Sequence, residues 1–294
     1  MKNNYKYVVE SGCSYTATDC ENLVNPGETY GDIVAKHYGA KCYNLAASGT
    51  SFQRMSRKIY EWCAKNKDKF NDTLIILGMT SFDRHEMWNN KIFKWQPVTG
   101  HYWDSAMELD NQFDYEIPWT GEDKKKYFIN FYNDKAHFLC IMHTIIGLQS
   151  FFKVNNIDNI FFNACVGYLS WIHDHKSTLE GIAKVIDPDP FSDIKSTGNL
   201  IFSRGRDLIT TGGKRIGKKD ELGNIKIEPQ VDFRLLWDNL VSKENWYVHP
   251  KYGDMGHLTA VNDDMRVSKE DEHPNKKAHK YWGECLLEYI NEKV

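Results

Sequence analysis

A serine near the start of the chain and a histidine near its end are the residues best suited to do chemistry. Ser14 lies in the run Gly12-Cys13-Ser14-Tyr15-Thr16, directly after a short apolar segment. His273 follows two candidate orienting carboxylates, Glu270 and Asp271. A serine hydroxyl becomes a nucleophile when a base removes its proton, and a carboxylate holds that base in the correct tautomer. These residue types predict acyl transfer, provided that the last loop folds back over the first.

Alternating strands and helices are predicted to position these residues. The hydrophobic patterns predict strands at 5–9, 41–45, 73–77 and 159–163, and helices at 26–38, 51–65, 128–153 and 275–292. The connections are long enough for crossovers, so we expect parallel strands with helices on both faces of the sheet. Ligands bind at the carboxyl ends of such strands. Chemistry is therefore expected in the loops that begin at Gly12, Ala46 and Gly78.

The length of 294 residues fits a single domain over 1–294. Two long insertions are predicted within it. The first, at about 85–125, reads as irregular and is rich in Trp, Asn and Asp. The second, at about 166–260, holds most of the glycines and prolines of the second half.

Charge and cysteine content exclude several classes of protein. A net charge of −3 argues against a dedicated nucleic-acid binder, which usually carries a basic face. The seven cysteines have no Cys-x-x-Cys spacing, which favours thiols in a reducing compartment. Residues 1–10 lack an apolar stretch of signal-peptide length, and no segment suits a membrane span. We expect a cytoplasmic protein, or a virion-associated one if a phage encodes it.

Four short blocks, taken in order, resemble the signature of the SGNH (GDSL-like) hydrolase superfamily. They are Gly12-Cys13-Ser14, Gly49, the segment from Gly78 to Thr80, and His273-Pro274. The Gly-Cys-Ser-Tyr-Thr opening is similar to a subgroup common in phage and environmental sequences. The resemblance implies a three-layer α/β/α sandwich with a mainly parallel, flavodoxin-like sheet. It also implies ester hydrolysis without a metal or an organic cofactor.

The resemblance also implies a role for each block. Ser14 would be the nucleophile and His273 its base, and the family spacing favours Glu270 over Asp271 as the orienting carboxylate. The Ser14 amide, the Gly49 amide and a third-block side chain would form the oxyanion hole. That side chain is Asn in the family and Thr80 here. Losing one such donor costs on the order of 100- to 1000-fold in rate, unless Ser81 or a water substitutes for it.

Other residues suggest binding rather than catalysis. Arg84 and Glu86, just after the third block, are predicted to contact an anionic or hydroxylated substrate, or else to form a surface ion pair. The run from His173 to His175 resembles a metal site but lacks a third ligand, so no metal is predicted. A group of tryptophans forms either a carbohydrate platform or the core of an inserted lid: Trp88, Trp95, Trp103 and Trp119.

Three functions follow from these observations. The first is a hydrolase that cleaves a small-molecule or glycan ester, removing an acyl or acetyl group through an acyl-Ser14 intermediate. The second is a non-catalytic carbohydrate-binding or virion structural protein on a degenerate scaffold, which the Thr80 departure and the insertions at 85–125 and 166–260 favour. The third is a thiol enzyme that uses Cys13. A hydrogen bond between Ser14 and His273 would distinguish the first from the others.

Overall fold

The computed structural model describes residues 1–2, 4–19, 23–80, 84–89, 94–99, 134–165, 218–219, 225–226 and 239–294. In chain order its elements are β1 (Tyr7–Ser11), α1 (Tyr30–Tyr38), β2 (Lys41–Asn44), α2 (Phe52–Lys65), β3 (Thr73–Met79), β4 (Arg84–Asn89), β5 (Lys94–Thr99), α3 (Asp134–Val154), β6 (Asp158–Asn163), β7 (Lys218–Lys219), β8 (Ile225–Lys226), α4 (Met255–Val261) and α5 (Lys276–Lys293).

Four parallel strands form the central sheet, in the order β2-β1-β3-β6. This is the order expected of a flavodoxin-like sheet, in which the second strand lies outside the first. The predicted parallel α/β architecture is confirmed. The carboxyl ends of β1, β2 and β3 lie side by side, so the loops that follow them meet at one edge of the sheet.

Strand β3 shows why the sheet carries helices on both faces. All seven of its residues are buried, and successive side chains point to opposite faces. Leu74 and Ile76 pack into a core with residues of α1 and α5. Ile75 and Leu77 pack into a second core with residues of α2 and α3. A strand buried on both faces requires a continuous apolar run, which is the pattern that predicted it.

Side-chain caps set where three of the helices begin. Thr29 and Asp32 form a capping box, so α1 begins at Tyr30 and not at position 26 as predicted. Ser51 caps α2 by accepting from the Arg54 amide. Asn275 caps α5 by accepting from two amides of the first turn. This last cap comes two residues after His273.

The prediction that 85–125 is irregular is wrong for its first part. Strands β4 and β5 pair in an antiparallel hairpin with Trp88 opposite Trp95. The remainder of that segment, with Trp103 and Trp119, lies outside the described residues, as do His173, His175 and most of 166–260. Within the described part of the chain, no helix combines the length and apolar character that crossing a membrane requires.

Candidate active site

The turn after β1 places Ser14 at the edge of the sheet. The Cys13 carbonyl accepts from the amides of Thr16 and Ala17, each at 2.9 Å, which folds the chain back directly beyond the strand. Gly12 makes this turn possible, because a Cβ there would lie 2.0 Å from the Thr16 hydroxyl. Ser14 is 8% exposed, so its hydroxyl is held in a mostly enclosed position that a small substrate group can still reach.

The loop after β2 is fastened to the same turn. The Ala47 amide donates to the Gly12 carbonyl at 3.3 Å. The Asp19 carboxylate accepts from both the amide and the hydroxyl of Ser48, at 3.1 and 2.7 Å. The next residue, Gly49, has a φ of 67°, which favours glycine because it has no Cβ. The first two predicted blocks therefore meet at one edge of the sheet, and Asp19 is a supporting residue that the motifs did not indicate.

The loop before α5 brings His273 to Ser14. His273 Nε2 lies 2.8 Å from Ser14 Oγ, although the two residues are 259 positions apart in the chain. The Val267 amide donates to the His273 carbonyl at 2.9 Å, and the Asn275 amide donates to the Met265 carbonyl at 3.0 Å. These backbone bonds, together with the Asn275 cap, hold the loop in place. The predicted nucleophile and its predicted base are thus within direct hydrogen-bond distance.

The structure corrects the preferred orienting carboxylate. Asp271 Oδ1, not the Glu270 carboxylate, lies 2.5 Å from His273 Nδ1, and it also accepts from the His273 amide at 3.1 Å. The Glu270 carboxylate instead accepts from the Ser268 hydroxyl at 3.0 Å. The loop is a tight turn in which the Ser268 hydroxyl also accepts from the Glu270 and Asp271 amides. The family spacing could not anticipate this local turn.

The environment of Asp271 keeps its carboxylate ionised. Partial burial acts to raise the pKa of Asp271, but hydrogen bonds from the His273 ring and backbone oppose it. The net result is a pKa below the ordinary value. An ionised carboxylate at Nδ1 keeps the proton on that nitrogen and leaves Nε2 to accept from the serine. The arrangement has the two side-chain contacts of a Ser-His-Asp triad.

Tyr15 encloses the histidine from the side of the nucleophile. Its ring centroid lies 5.4 Å from that of His273, and its hydroxyl donates to the Glu272 carbonyl at 3.5 Å. The tyrosine therefore contacts both the His273 ring and the loop that carries it. Its position next to Ser14 in the sequence was a signal for this role, although no motif assigned one to it.

Thr80 directly follows β3, and Arg84 is the first residue of β4. Thr80 is 2% exposed, and Arg84 Nη1 donates to its hydroxyl oxygen at 3.1 Å. The threonine oxygen uses a lone pair in this bond, so its own proton is directed elsewhere. Ser81, the other candidate donor at this position, lies outside the described residues.

Glu86 forms an ion pair within the protein. Its carboxylate lies 2.6 Å from Arg57 Nη2 of α2, and its side chain is only 3% exposed. Of the two predictions for Arg84 and Glu86, an ion pair is present for Glu86, but it is formed with Arg57 and is buried on the Glu86 side. Contact of Arg84 or Glu86 with a substrate stays a prediction. Arg84 contacts the third block, whereas Glu86 fastens the hairpin to α2.

One cluster among the described residues has the composition of a metal site. Ligand atoms of Glu10, Asp32 and Cys42 lie within 4.8 Å of one another. Hydrogen bonds within the protein account for Glu10, since its carboxylate accepts from the Thr29 hydroxyl at 2.5 Å and from the Gly31 amide at 3.1 Å. The cluster lies where β1 meets the start of α1, and we interpret it as part of the helix cap.

Comparison with known proteins finds matches among solved structures. No family model and no curated protein matches the chain. A solved acetyl xylan esterase from the rumen bacterium Butyrivibrio proteoclasticus is similar in structure, with a TM-score of 0.40 and 11% sequence identity. The match covers all of this chain and 65% of that esterase, so the chain spans less than two thirds of its length.

Proposed function

We propose that this chain is a serine hydrolase that cleaves esters through an acyl-Ser14 intermediate. The observation that carries the proposal is the chain of contacts from Ser14 Oγ to His273 Nε2, at 2.8 Å, and from His273 Nδ1 to Asp271, at 2.5 Å. In this arrangement His273 can accept the Ser14 proton, and Asp271 can stabilise the positive charge that the imidazole then carries.

The first half of the reaction forms the acyl-enzyme. His273 Nε2 removes the Ser14 proton as Ser14 Oγ attacks the ester carbonyl carbon. The oxyanion would be bound by the amides of Ser14 and Gly49 and by the Thr80 hydroxyl. Collapse of this intermediate breaks the bond to the leaving oxygen, which takes the proton from His273 and departs as an alcohol.

The second half releases the acid. His273, now neutral, removes a proton from a water molecule that attacks the acyl-Ser14 carbonyl carbon. The Ser14–acyl bond breaks, and Ser14 recovers its proton from His273. Asp271 stabilises the charged imidazole in both halves, because its low pKa keeps it ionised. No metal or organic cofactor takes part in these steps.

The proposed substrate is a small acyl or acetyl ester, carried by a small molecule or a glycan. Support for a glycan comes from the β4–β5 hairpin, where Trp88 and Trp95 are 43% and 45% exposed. Their ring centroids lie 5.6 Å apart, and the Arg57 guanidinium lies over the Trp95 ring. Exposed indoles beside a polar group provide an apolar surface and a hydrogen-bond donor together, as sugar recognition requires.

The thiol enzyme has less support than the serine enzyme. Cys13 is fully buried, and its sulfur lies 3.3 Å from the Cys165 sulfur. His273 Nε2 faces the Ser14 hydroxyl. The non-catalytic alternative keeps one observation in its favour, namely the replacement of Asn by Thr80.

A fluorophosphonate probe tests the proposal directly. Wild-type protein is expected to form an adduct at Ser14, located by mass spectrometry, and Ser14→Ala and His273→Ala are expected to abolish it. Folding of each variant is checked by circular dichroism. Folded wild-type protein that forms no adduct would refute the hydrolase and favour the non-catalytic scaffold. An adduct at Cys13 that persists in Ser14→Ala would favour the thiol enzyme.

A further inference from the structure

Two cysteine sulfurs lie close together beneath the proposed nucleophile. Cys13 Sγ and Cys165 Sγ are 3.3 Å apart, although 152 positions separate them in the chain. Cys13 lies two residues after β1 and Cys165 two residues after β6, so the pair links the ends of two strands that β3 separates in the sheet. A disulfide has a sulfur–sulfur bond of about 2.05 Å, so a closure of little more than 1 Å would join them.

Both ends of this pair belong to the architecture of the site. Cys13 precedes Ser14 directly, and its carbonyl accepts the two bonds that form the turn. The Cys165 amide donates at 3.4 Å to the Met79 carbonyl, which precedes Thr80. A change in the distance between the two sulfurs is therefore transmitted to Ser14 on one side and to Thr80 on the other.

We propose that Cys13 and Cys165 form a site of reversible thiol oxidation, at which a hydroperoxide converts the two thiols to a disulfide and slows hydrolysis at Ser14. The slowing rests on the proposed function, whereas formation of the disulfide does not. The two thiols differ in access, since Cys165 is 9% exposed and Cys13 is completely covered. We therefore expect Cys165 to react with the oxidant first, and Cys13 to attack the oxidised Cys165 sulfur to form the disulfide.

The chemistry balances with hydrogen peroxide as the oxidant. Cys165 Sγ attacks one peroxide oxygen, the O–O bond breaks, and the products are a Cys165 sulfenic acid and one water. Cys13 Sγ then attacks the Cys165 sulfur, the S–O bond breaks, and the hydroxide leaves with the Cys13 proton as a second water. The two thiols lose two hydrogens and two electrons, and the peroxide is reduced.

The environment of Cys13 favours the second step. In the reduced pair the hydrogen bond with Cys165 is the main influence that lowers the pKa of the Cys13 thiol, against the opposing effect of burial. The positive charge of Arg84 acts in the same direction and is still present after Cys165 has been oxidised to the sulfenic acid. Thiolate is the attacking form in disulfide exchange, so a lowered pKa increases its population at neutral pH.

The test treats the reduced full-length protein with hydrogen peroxide, alkylates the remaining thiols, and analyses the peptides by mass spectrometry. The expected product is a Cys13–Cys165 cross-link, lighter than the two thiols by two hydrogen atoms. Labelling of Ser14 by the fluorophosphonate is expected to slow by about 100-fold, the cost of an ångström-scale displacement. Dithiothreitol is expected to restore the rate.

Two variants make the result specific. Cys165→Ser is expected to lose the sensitivity to peroxide, measured as the ratio of its treated to its untreated labelling rate. Cys140→Ser removes an exposed thiol on α3 and is expected to keep that sensitivity. Peroxide that leaves both thiols alkylatable, or that converts Cys165 to a sulfinic acid without a cross-link, would overturn the proposal. A cross-link with an unchanged labelling rate would overturn the claim that the disulfide slows the reaction at Ser14.

The two proposals fail in different ways. A cross-link in a protein that never reacts with the fluorophosphonate would refute the serine hydrolase and the inhibition, and would leave the oxidation site standing. Labelling of Ser14 without a cross-link would refute the oxidation site and support the hydrolase.

Discussion

The carboxylates of Glu270 and Asp271 are neighbours in sequence but make different contacts. Asp271 bonds to the His273 ring, whereas Glu270 bonds to the Ser268 hydroxyl at the surface of the loop. Neutralising Asp271 and Glu270 in separate variants distinguishes a carboxylate that orients the His273 ring from one that stabilises the loop. The two substitutions are isosteric, which makes them a matched pair.

Asp271→Asn is expected to lower kcat for an acetyl ester by about 10⁴-fold, the loss seen when the triad aspartate of a serine protease becomes an amide. The physical reason is the tautomer, because an amide nitrogen can donate to Nδ1 and push the imidazole proton onto Nε2. Glu270→Gln is expected to leave kcat within a factor of a few. The measurement is steady-state hydrolysis of p-nitrophenyl acetate, and equal losses in both variants would contradict the assignment.

Thr80, which directly follows β3, can be tested against Thr73, the first residue of that strand. Thr80→Val removes the hydroxyl at the carboxyl end of β3 and is expected to lower kcat by roughly 100- to 1000-fold, as an oxyanion donor would. Thr73→Val removes a buried hydroxyl at the other end, where it donates to the Lys69 carbonyl at 2.8 Å. That variant is expected to lower the melting temperature without lowering kcat. A kcat in Thr80→Val equal to that of wild type would exclude the hydroxyl from the oxyanion hole.

At the scale of the elements, the turn after β1 packs tightly against β3. A Cβ at Gly12 would lie 2.0 Å from the Thr16 hydroxyl and 3.2 Å from the Gly78 carbonyl oxygen. Thr16 cannot move aside easily, because its hydroxyl shares a 2.7 Å hydrogen bond with the buried Tyr30 hydroxyl. The turn that carries Ser14 therefore depends on the absence of a side chain.

Gly12→Ala is expected to destabilise the fold and to displace Ser14, lowering the rate of fluorophosphonate labelling by about 100-fold. Gly147→Ala is the control, since a Cβ there meets only the Tyr60 hydroxyl at 3.7 Å, an ordinary contact. Gly147 lies within α3, where alanine is expected to raise the free energy of unfolding by about 1 kcal/mol and to leave labelling of Ser14 unchanged. Urea denaturation measures the free energy of unfolding of each variant. Labelling of Gly12→Ala at the wild-type rate would argue against a tight turn.

Across the whole molecule, one buried acid makes stability depend on pH. Glu10 on β1 is completely buried at the start of α1. Burial raises its pKa to about 8; the Thr29 hydrogen bond opposes the shift, and the charge of Asp32 adds to it. The folded-state value lies above the ordinary 4.5, so the folded protein holds this proton more tightly than the unfolded chain does.

The stability contributed by protonated Glu10 is complete below pH 4.5 and is lost as the pH rises through about 8. The melting temperature of the wild type is therefore expected to fall over this window. Glu10→Gln is neutral throughout and is expected to show a smaller fall. Glu61→Gln is the control, because exposed Glu61 has a lowered pKa and is already ionised there. Parallel melting curves for wild type and Glu10→Gln would show that Glu10 does not titrate in this range.

The sequence by itself determined the strand-and-helix order and the identity of the main candidate residues. Continuous apolar runs predicted the buried strands, and caps such as Ser51 marked helix starts, because these signals depend on neighbouring residues. Ser14, Gly49 and His273 were found from motifs that lie in loops after strands or before a helix. The hairpin of β4 and β5 was missed because its tryptophans and polar residues do not follow a simple alternation.

Only the tertiary structure decided which groups meet. The 2.8 Å contact between Ser14 and His273 needs the parallel sheet and the α5 cap together, since 259 positions separate the two residues. The choice of Asp271 depends on a local turn around Ser268, and the partner of Glu86 is Arg57 of a different element. The approach of Cys13 to Cys165 follows from the strand order. Sequence patterns report local geometry, whereas contacts between distant segments arise only when the packed cores bring the strand ends together.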